Sequence, residues 1–321
     1  MRVERRCLLW LLGALVVLCG SLFAGVSIGS VSVSVSDPIV HNLRIPRVLL
    51  GCASGAGLAV AGVILQAIVR NVLADPYIVG VHSGASCGTA AAILFGVGSG
   101  VGLQAMAFLG AVGATVLVFL LARSGGQLTA VRLLLSGVAI GYALSALTSF
   151  MIFASDSPEA SRSVMFWLLG SLSLASWGSQ LAAVFVVFGV VSCVVMLLAP
   201  HIDALCLGDT TALSLGVHPQ RLRAVLLLAT CLLIGSVVSL SGAIGFVGLV
   251  VPHLARRVVG ASHRVVIPMA ALLGAILVIW ADIGARTILS PQELPIGIIT
   301  ALVGTPLLLV LIRRHPAPTE S

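Results

Sequence analysis

Lysine is absent from this chain of 321 residues; all 17 basic residues are arginine. A Walker-type nucleotide loop needs a lysine on the phosphates, so any ATP-driven work must come from another chain. Charge of either sign is scarce. Only 8% of residues are charged, where a soluble domain carries about a quarter. With 59% hydrophobic residues, the chain reads as an all-α polytopic membrane protein. No long polar stretch is available to build a second domain, so one integrated transmembrane domain over 1–321 is expected.

Other chemistries are missing as well. The seven cysteines lie mostly in apolar segments, with no C-x-x-C pair and no His/Cys cluster. That spacing argues against a disulfide framework or a metal site. Neither a catalytic residue nor a resident cofactor is expected. The net charge of +7 does not mark a nucleic-acid binder, because the arginines flank apolar spans as the positive-inside rule requires. The glycine-rich stretch at 96–102 has no β-α-β context and reads as a turn. His82 and Ser83 do not form a G-x-S-x-G elbow, and no acidic partner accompanies them. No ionisable residue lies well within a span, which weakens a secondary transporter driven by ions or protons.

What the chain does have is a series of apolar runs. Spans are expected at 7–27, 46–69, 79–97, 103–122, 132–153, 180–198, 224–240, 243–257, 265–287 and 295–312. A cleaved signal peptide competes for the first run, but no A-x-A site follows it. The segment at 28–42 reads as extended chain outside, and 163–170 as a short surface helix. The polar stretch 200–223 lies inside.

The stretch 241–264 is the most unusual. It places Gly242, Gly245 and Gly248 three apart and then adds Pro252. Thirty-two residues separate Arg223 from Arg256. As helix they would cover about 48 Å, between the roughly 30 Å of one crossing and 60 Å of two. A single crossing would put Arg256, Arg257 and Arg264 outside, so two crossings are expected, the second short and glycine-broken. Ten crossings then leave both termini inside. Only Arg44, Arg47, Arg162 and Arg286 fall outside, and the other thirteen of 17 arginines lie inside.

Arg44, Arg47 and Arg286 either pair locally, as Asp282 and Arg286 can at i,i+4, or form a basic rim for acidic residues of an external partner. The stretch 208–217 reads as a short amphipathic helix, with Asp209 as N-cap and Gly216 as terminator. It is a surface loop or a docking helix for a cytoplasmic motor. Gly137, Gly141, Ser145 and Thr148 share a helix face that packs closely or lines a pathway.

Several stretches together resemble the FecCD-type permeases of ABC importers for iron–siderophores, haem and cobalamin. They are Arg44-Ile-Pro-Arg47, Asn71-Val-Leu-Ala-Asp-Pro76, Gly80-Val-His-Ser-Gly-Ala85, Leu215-Gly-Val217, Gly242-Ala-Ile-Gly-Phe-Val-Gly-Leu-Val-Val-Pro-His253, Asp282-Ile-Gly-Ala-Arg286 and Leu294-Pro-Ile-Gly297. The resemblance implies a type II importer permease of ten helices in the bacterial cytoplasmic membrane. It implies a homodimer, or a heterodimer of close paralogues, around a central pathway. Two cytoplasmic ATPase subunits would bind ATP and magnesium, and an extracytoplasmic binding protein would deliver the ligand.

The resemblance also implies roles for particular residues. Arg44, Arg47 and Arg286 would receive glutamates of the binding protein. Asp209, Thr210, Thr211, Ala212, Leu215, Gly216 and Val217 would couple to the ATPase. Leu128, Thr129 and Ala130 would form the inner gate. Gly242, Gly245, Gly248 and Pro252 would serve as hinge and packing positions. Val72 departs from the proline usual in the family, and His82 from a common serine. The expected function is passage of a ferric siderophore, with haem or cobalamin as the alternative.

Overall fold

The computed structural model describes residues 2–29, 37–96, 100–123 and 128–313. The extended stretch expected at 28–42 and the turns at 96–102 and 123–132 fall partly outside these residues. Helix α1 covers Arg2–Ser27. A π-helical turn, Val40–Arg44, runs straight into α2, Ile45–Val69. A 3₁₀ turn, Pro76–Val79, introduces α3 at Val81–Leu94. Then come α4 (Val101–Ala122), α5 (Ala130–Phe153), α6 (Pro158–Leu168) and α7 (Ser179–Leu197). The chain continues through α8 (Ala199–Cys206), α9 (Asp209–Ser214) and α10 (Pro219–Ser241). It finishes with α11 (Val247–Val259), α12 (His263–Thr287) and α13 (Ile296–Arg313).

Seven of these are long and apolar enough to cross a membrane: α1, α2 with its π turn, α4, α5, α7, α10 and α12. The other three expected spans fall on α3, α11 and α13, which are shorter. The 14 residues of α3 and 13 of α11 cover only about 20 Å each.

Several expected boundaries are corrected. The span placed at 224–240 starts at Pro219, so Arg221 and Arg223 are helical. Proline suits this first turn because its missing N–H has no intrahelical partner to lose. The stretch 200–223 is helical for much of its length, through α8 and α9. The surface helix expected at 163–170 is α6, which begins earlier, where Ser157 accepts a bond from Ala160 N–H at 3.2 Å. The helix placed at 243–257 starts only at Val247, and the one at 79–97 is shorter at both ends.

The core forms around α2, where every residue from Ala53 to Val69 is buried. Helices α10, α11 and α12 pack on it. Glycines allow that approach. A side-chain carbon on Gly55 would collide with the Gly274 carbonyl of α12, and one on Gly62 with that of Gly248 in α11. The α3–α4 contact is built the same way, with Gly84 against Gly110. In lipid no hydrophobic drive joins helices, so close van der Waals packing of small residues does the work. By contrast, α5 buries only Leu133, Gly137 and Thr148.

Non-helical backbone inside the bundle is satisfied locally. Gly242–Phe246 is non-helical, with Phe246 in the left-handed region at φ +67°, and Ile244 lies beside the 3₁₀ turn. The Tyr77 hydroxyl accepts from Ile244 N–H and donates to its carbonyl, both at 3.1 Å. Such backbone is tolerated at depth only when its polar groups find partners in the protein. At Gly242 the chain takes φ +63°, and Trp167 O and Gly170 occupy the place a Cβ would take, so glycine is required there.

Candidate functional site

Polar side chains gather at the two ends of the bundle. At one end α1 stops, leaving carbonyls without intrahelical partners. Arg44 donates to Val26 O and Ser27 O at 3.2 and 3.1 Å, and Arg286 donates to Gly25 O at 3.0 Å. The two cations therefore sit on the negative end of a helix. Asp282 lies between two guanidiniums, 2.9 Å from Arg47 Nε and 3.0 Å from Arg286 Nε. Arg47 also donates from Nη1 to both oxygens of Glu293 at 2.9 Å.

The three arginines are thus not laid out as an open basic rim. Arg44 and Arg286 are buried, and the exposed edge of the cluster is the Arg47–Glu293 pair. Sequence reading found the Asp282–Arg286 pair but not Glu293, a lone carboxylate in a turn that carries no periodic signal. Next to this edge lies an open cavity of about 720 Å³, bordered by Glu159, Arg162, Phe166, Trp167, Ser171 and Glu293. The Arg162 guanidinium stands 5.5 Å over the Phe166 ring.

At the other end, α9 stands out from the bundle. Ala212 and Val217 are buried and seat it, while Leu213 and Leu215 face outward, as do Thr210 and Thr211. Asp209 is not its N-cap; Gly208 holds that position, and Asp209 is the first helical residue. Its carboxylate turns instead to Arg223 of α10, at 2.7 and 2.8 Å, and to Arg70 at the end of α2. The helix closes at Gly216, φ +79°. Val217 N–H donates to Ala212 O, and Gly216 N–H to Leu213 O. These two bonds make a Schellman turn.

The Arg70 guanidinium has a lowered pKa, first from burial and then from neighbouring Arg223. The segment before α5 belongs to the same neighbourhood. Leu128 is buried; its N–H donates to Gln220 Oε1 at 2.7 Å and its carbonyl accepts from Arg223 Nη1 at 3.3 Å. Thr129 caps α5, and Ala130 begins it. Asp203 of α8 receives the His263 N–H at 3.1 Å, tying α8 to the start of α12.

The glycine-rich stretch lies between the ends. Gly248 packs against Pro76 and Leu58 O, Gly245 has open space around it, and Pro252 sits within α11. The His82 ring lies tilted against Tyr77, centroids 5.0 Å apart, and Tyr77 is the residue that pins the non-helical segment at Ile244. Val72 is exposed near the end of α2.

The model of the FecCD transport family matches residues 7–314. A cobalamin import permease protein, BtuC of Halobacterium salinarum, is 43% identical over 275 residues, 86% of this chain and 73% of that one. An Fe(3+)-citrate import permease protein, YfmD of Bacillus subtilis, is 37% identical over 316 residues, covering 94% and 93%. A metal-chelate type ABC transporter solved in an inward-facing conformation superposes with a TM-score of 0.88 at 36% identity, over 96% of this chain and 100% of that one. With a family match over nearly its whole length and seven helices fit to cross a bilayer, the chain belongs to the FecCD transport family of membrane permeases.

Proposed function

We propose that this chain is the permease subunit of an ATP-driven importer for a ferric siderophore in the bacterial cytoplasmic membrane. It works as a homodimer, or with a close paralogue, alongside two ATPase subunits that bind ATP and magnesium. An extracytoplasmic binding protein delivers the ligand. The observation that carries the reading is α9: a short helix at the arginine-rich end, seated by two buried side chains and otherwise presented outward. A chain without lysine lacks the residue a P-loop needs, so a motor must dock from outside, and α9 is shaped for that contact.

The arginine distribution supports a reading with the Asp209 end and both termini in the cytoplasm. That reading takes ten crossings, with α3, α11 and α13 as the short ones. The inner gate is assigned to Leu128, Thr129 and Ala130. On α5, Tyr142, Ser145 and Ser149 are exposed among apolar residues, which favours a pathway or a second subunit over lipid on that face. Arg47 meets the binding protein after Glu293 yields its place, while Arg44 and Arg286 hold the site's frame.

Cobalamin is the second reading, favoured by the 43% identity to the archaeal cobalamin permease protein. Reconstitution in liposomes with the ATPase and binding protein, and a panel of ferric siderophores, haem and cobalamin, tests both. ATP-dependent uptake of a ferric siderophore is the expected result. Uptake of cobalamin alone would replace the ligand. Uptake driven by a proton gradient without ATP would sink the importer class.

A further inference from the structure

Asp209 is the meeting point of segments far apart in the chain. Arg223 grips both of its oxygens, and Arg70 joins from the end of α2 while also donating to Leu205 O at 3.1 Å. The Arg223 guanidinium does not stop at α9. The same Nη1 that meets Asp209 also donates to the carbonyl of Leu128. One turn earlier on α10, Gln220 accepts from the N–H of that same residue. The first turns of α10 therefore hold both backbone polar groups of Leu128, which is buried, and one of the two side chains involved also holds α9.

Leu128 directly precedes Thr129, the cap of α5. Further along, α5 packs on α3, α4 and the 3₁₀ turn while burying only Leu133, Gly137 and Thr148, so its tie to α10 is made at its start, through Leu128. A bidentate arginine–carboxylate pair fixes orientation as well as distance, which a single charge contact would not. The first turn of α10, α9 and Leu128 are thus one hydrogen-bonded unit.

We infer that Arg223, assisted by Gln220, is a positioning residue that locks the N-terminus of α5 to the orientation of α9. A motor seated on α9 thereby moves α5. The inference rests on the reading that α9 meets the ATPase and α5 borders the pathway.

The test uses the reconstituted complex with its binding protein. Gln220→Ala removes only the bond to Leu128 N–H and leaves the Asp209–Arg223 pair; Arg223→Gln breaks the unit at its centre. Two quantities are read: ligand transported per ATP hydrolysed, and the nucleotide-dependent shift of a spin label at Val131, which is exposed on the first turn of α5. Arg223→Gln is expected to lower transport per ATP about tenfold, the scale of one coupling interaction, and to abolish the label shift. Gln220→Ala is expected to lower the ratio about threefold, as for a single hydrogen bond, with a reduced shift.

A merely structural role would lower transport and hydrolysis together and leave their ratio alone. Wild-type ratio and shift in Gln220→Ala overturn the linkage, and this variant decides alone if Arg223→Gln fails to assemble. If the unmodified complex shows no ATP-dependent uptake, the proposed function fails. If it transports and both variants keep its ratio, only the linkage fails.

Discussion

Asp282 has its side chain 3% exposed between two guanidiniums, one of them also buried. Removing one member of a buried ionic group leaves the others desolvated and uncompensated. Asp282→Ala is therefore expected to lower stability by about 3–5 kcal/mol, read as thermal unfolding in detergent. Glu293, 40% exposed at the rim of the same cluster, should matter little; its Gln variant is expected to stay within about 1 kcal/mol. Equal losses for the two would show that burial does not set their worth. The i,i+4 spacing made the Asp282–Arg286 pair legible in the sequence. It could not show that Arg44 and Arg286 turn inward to the open carbonyls of α1, because that depends on contacts between remote segments. Asp209 was misread for the same reason. Its position suited an N-cap, but Arg223 and Arg70 claim the carboxylate once the chain folds.

Among the elements, the long helices were the most legible, because their length and apolar content are local properties. The short and broken ones were less so. Charge at Arg221 and Arg223 suggested loop, yet both lie in the opening turns of α10, where Arg223 reaches α9 and Leu128. The glycines of 242–248 signalled a break, but the role of Tyr77 in holding it could not be seen from spacing. Glycine content in α2 pointed correctly to tight packing, and the packing can be tested by position. Gly55→Leu is expected to cost about 3 kcal/mol or more, because the new side chain meets the Gly274 carbonyl. Gly113→Ala in α4, where no atom lies within 4 Å, is expected to stay within about 1 kcal/mol. Folded yield and unfolding temperature in detergent distinguish them; equal tolerance would refute the packing account.

For the whole molecule, the proposed sidedness rests on the arginines alone, whereas assembly depends on surfaces that a sequence does not display. The bare face of α5 and the outward α9 are two such surfaces. Light scattering on the purified complex is expected to give two permease and two ATPase copies. A mass corresponding to one of each would remove the central pathway between permeases.

The burial of α2 also bears on how the chain is made. α2 leaves the ribosome well before its main neighbours: Arg47 waits for Asp282, 235 residues downstream. Until α10, α11 and α12 have been synthesised, the glycine-lined surface of α2 must face lipid or the insertion machinery. Its composition suits that wait, being apolar enough to remain in the bilayer by itself. The helix that ends with the least lipid contact is thus an early lodger in the membrane, and folding closes around it from the C-terminal half.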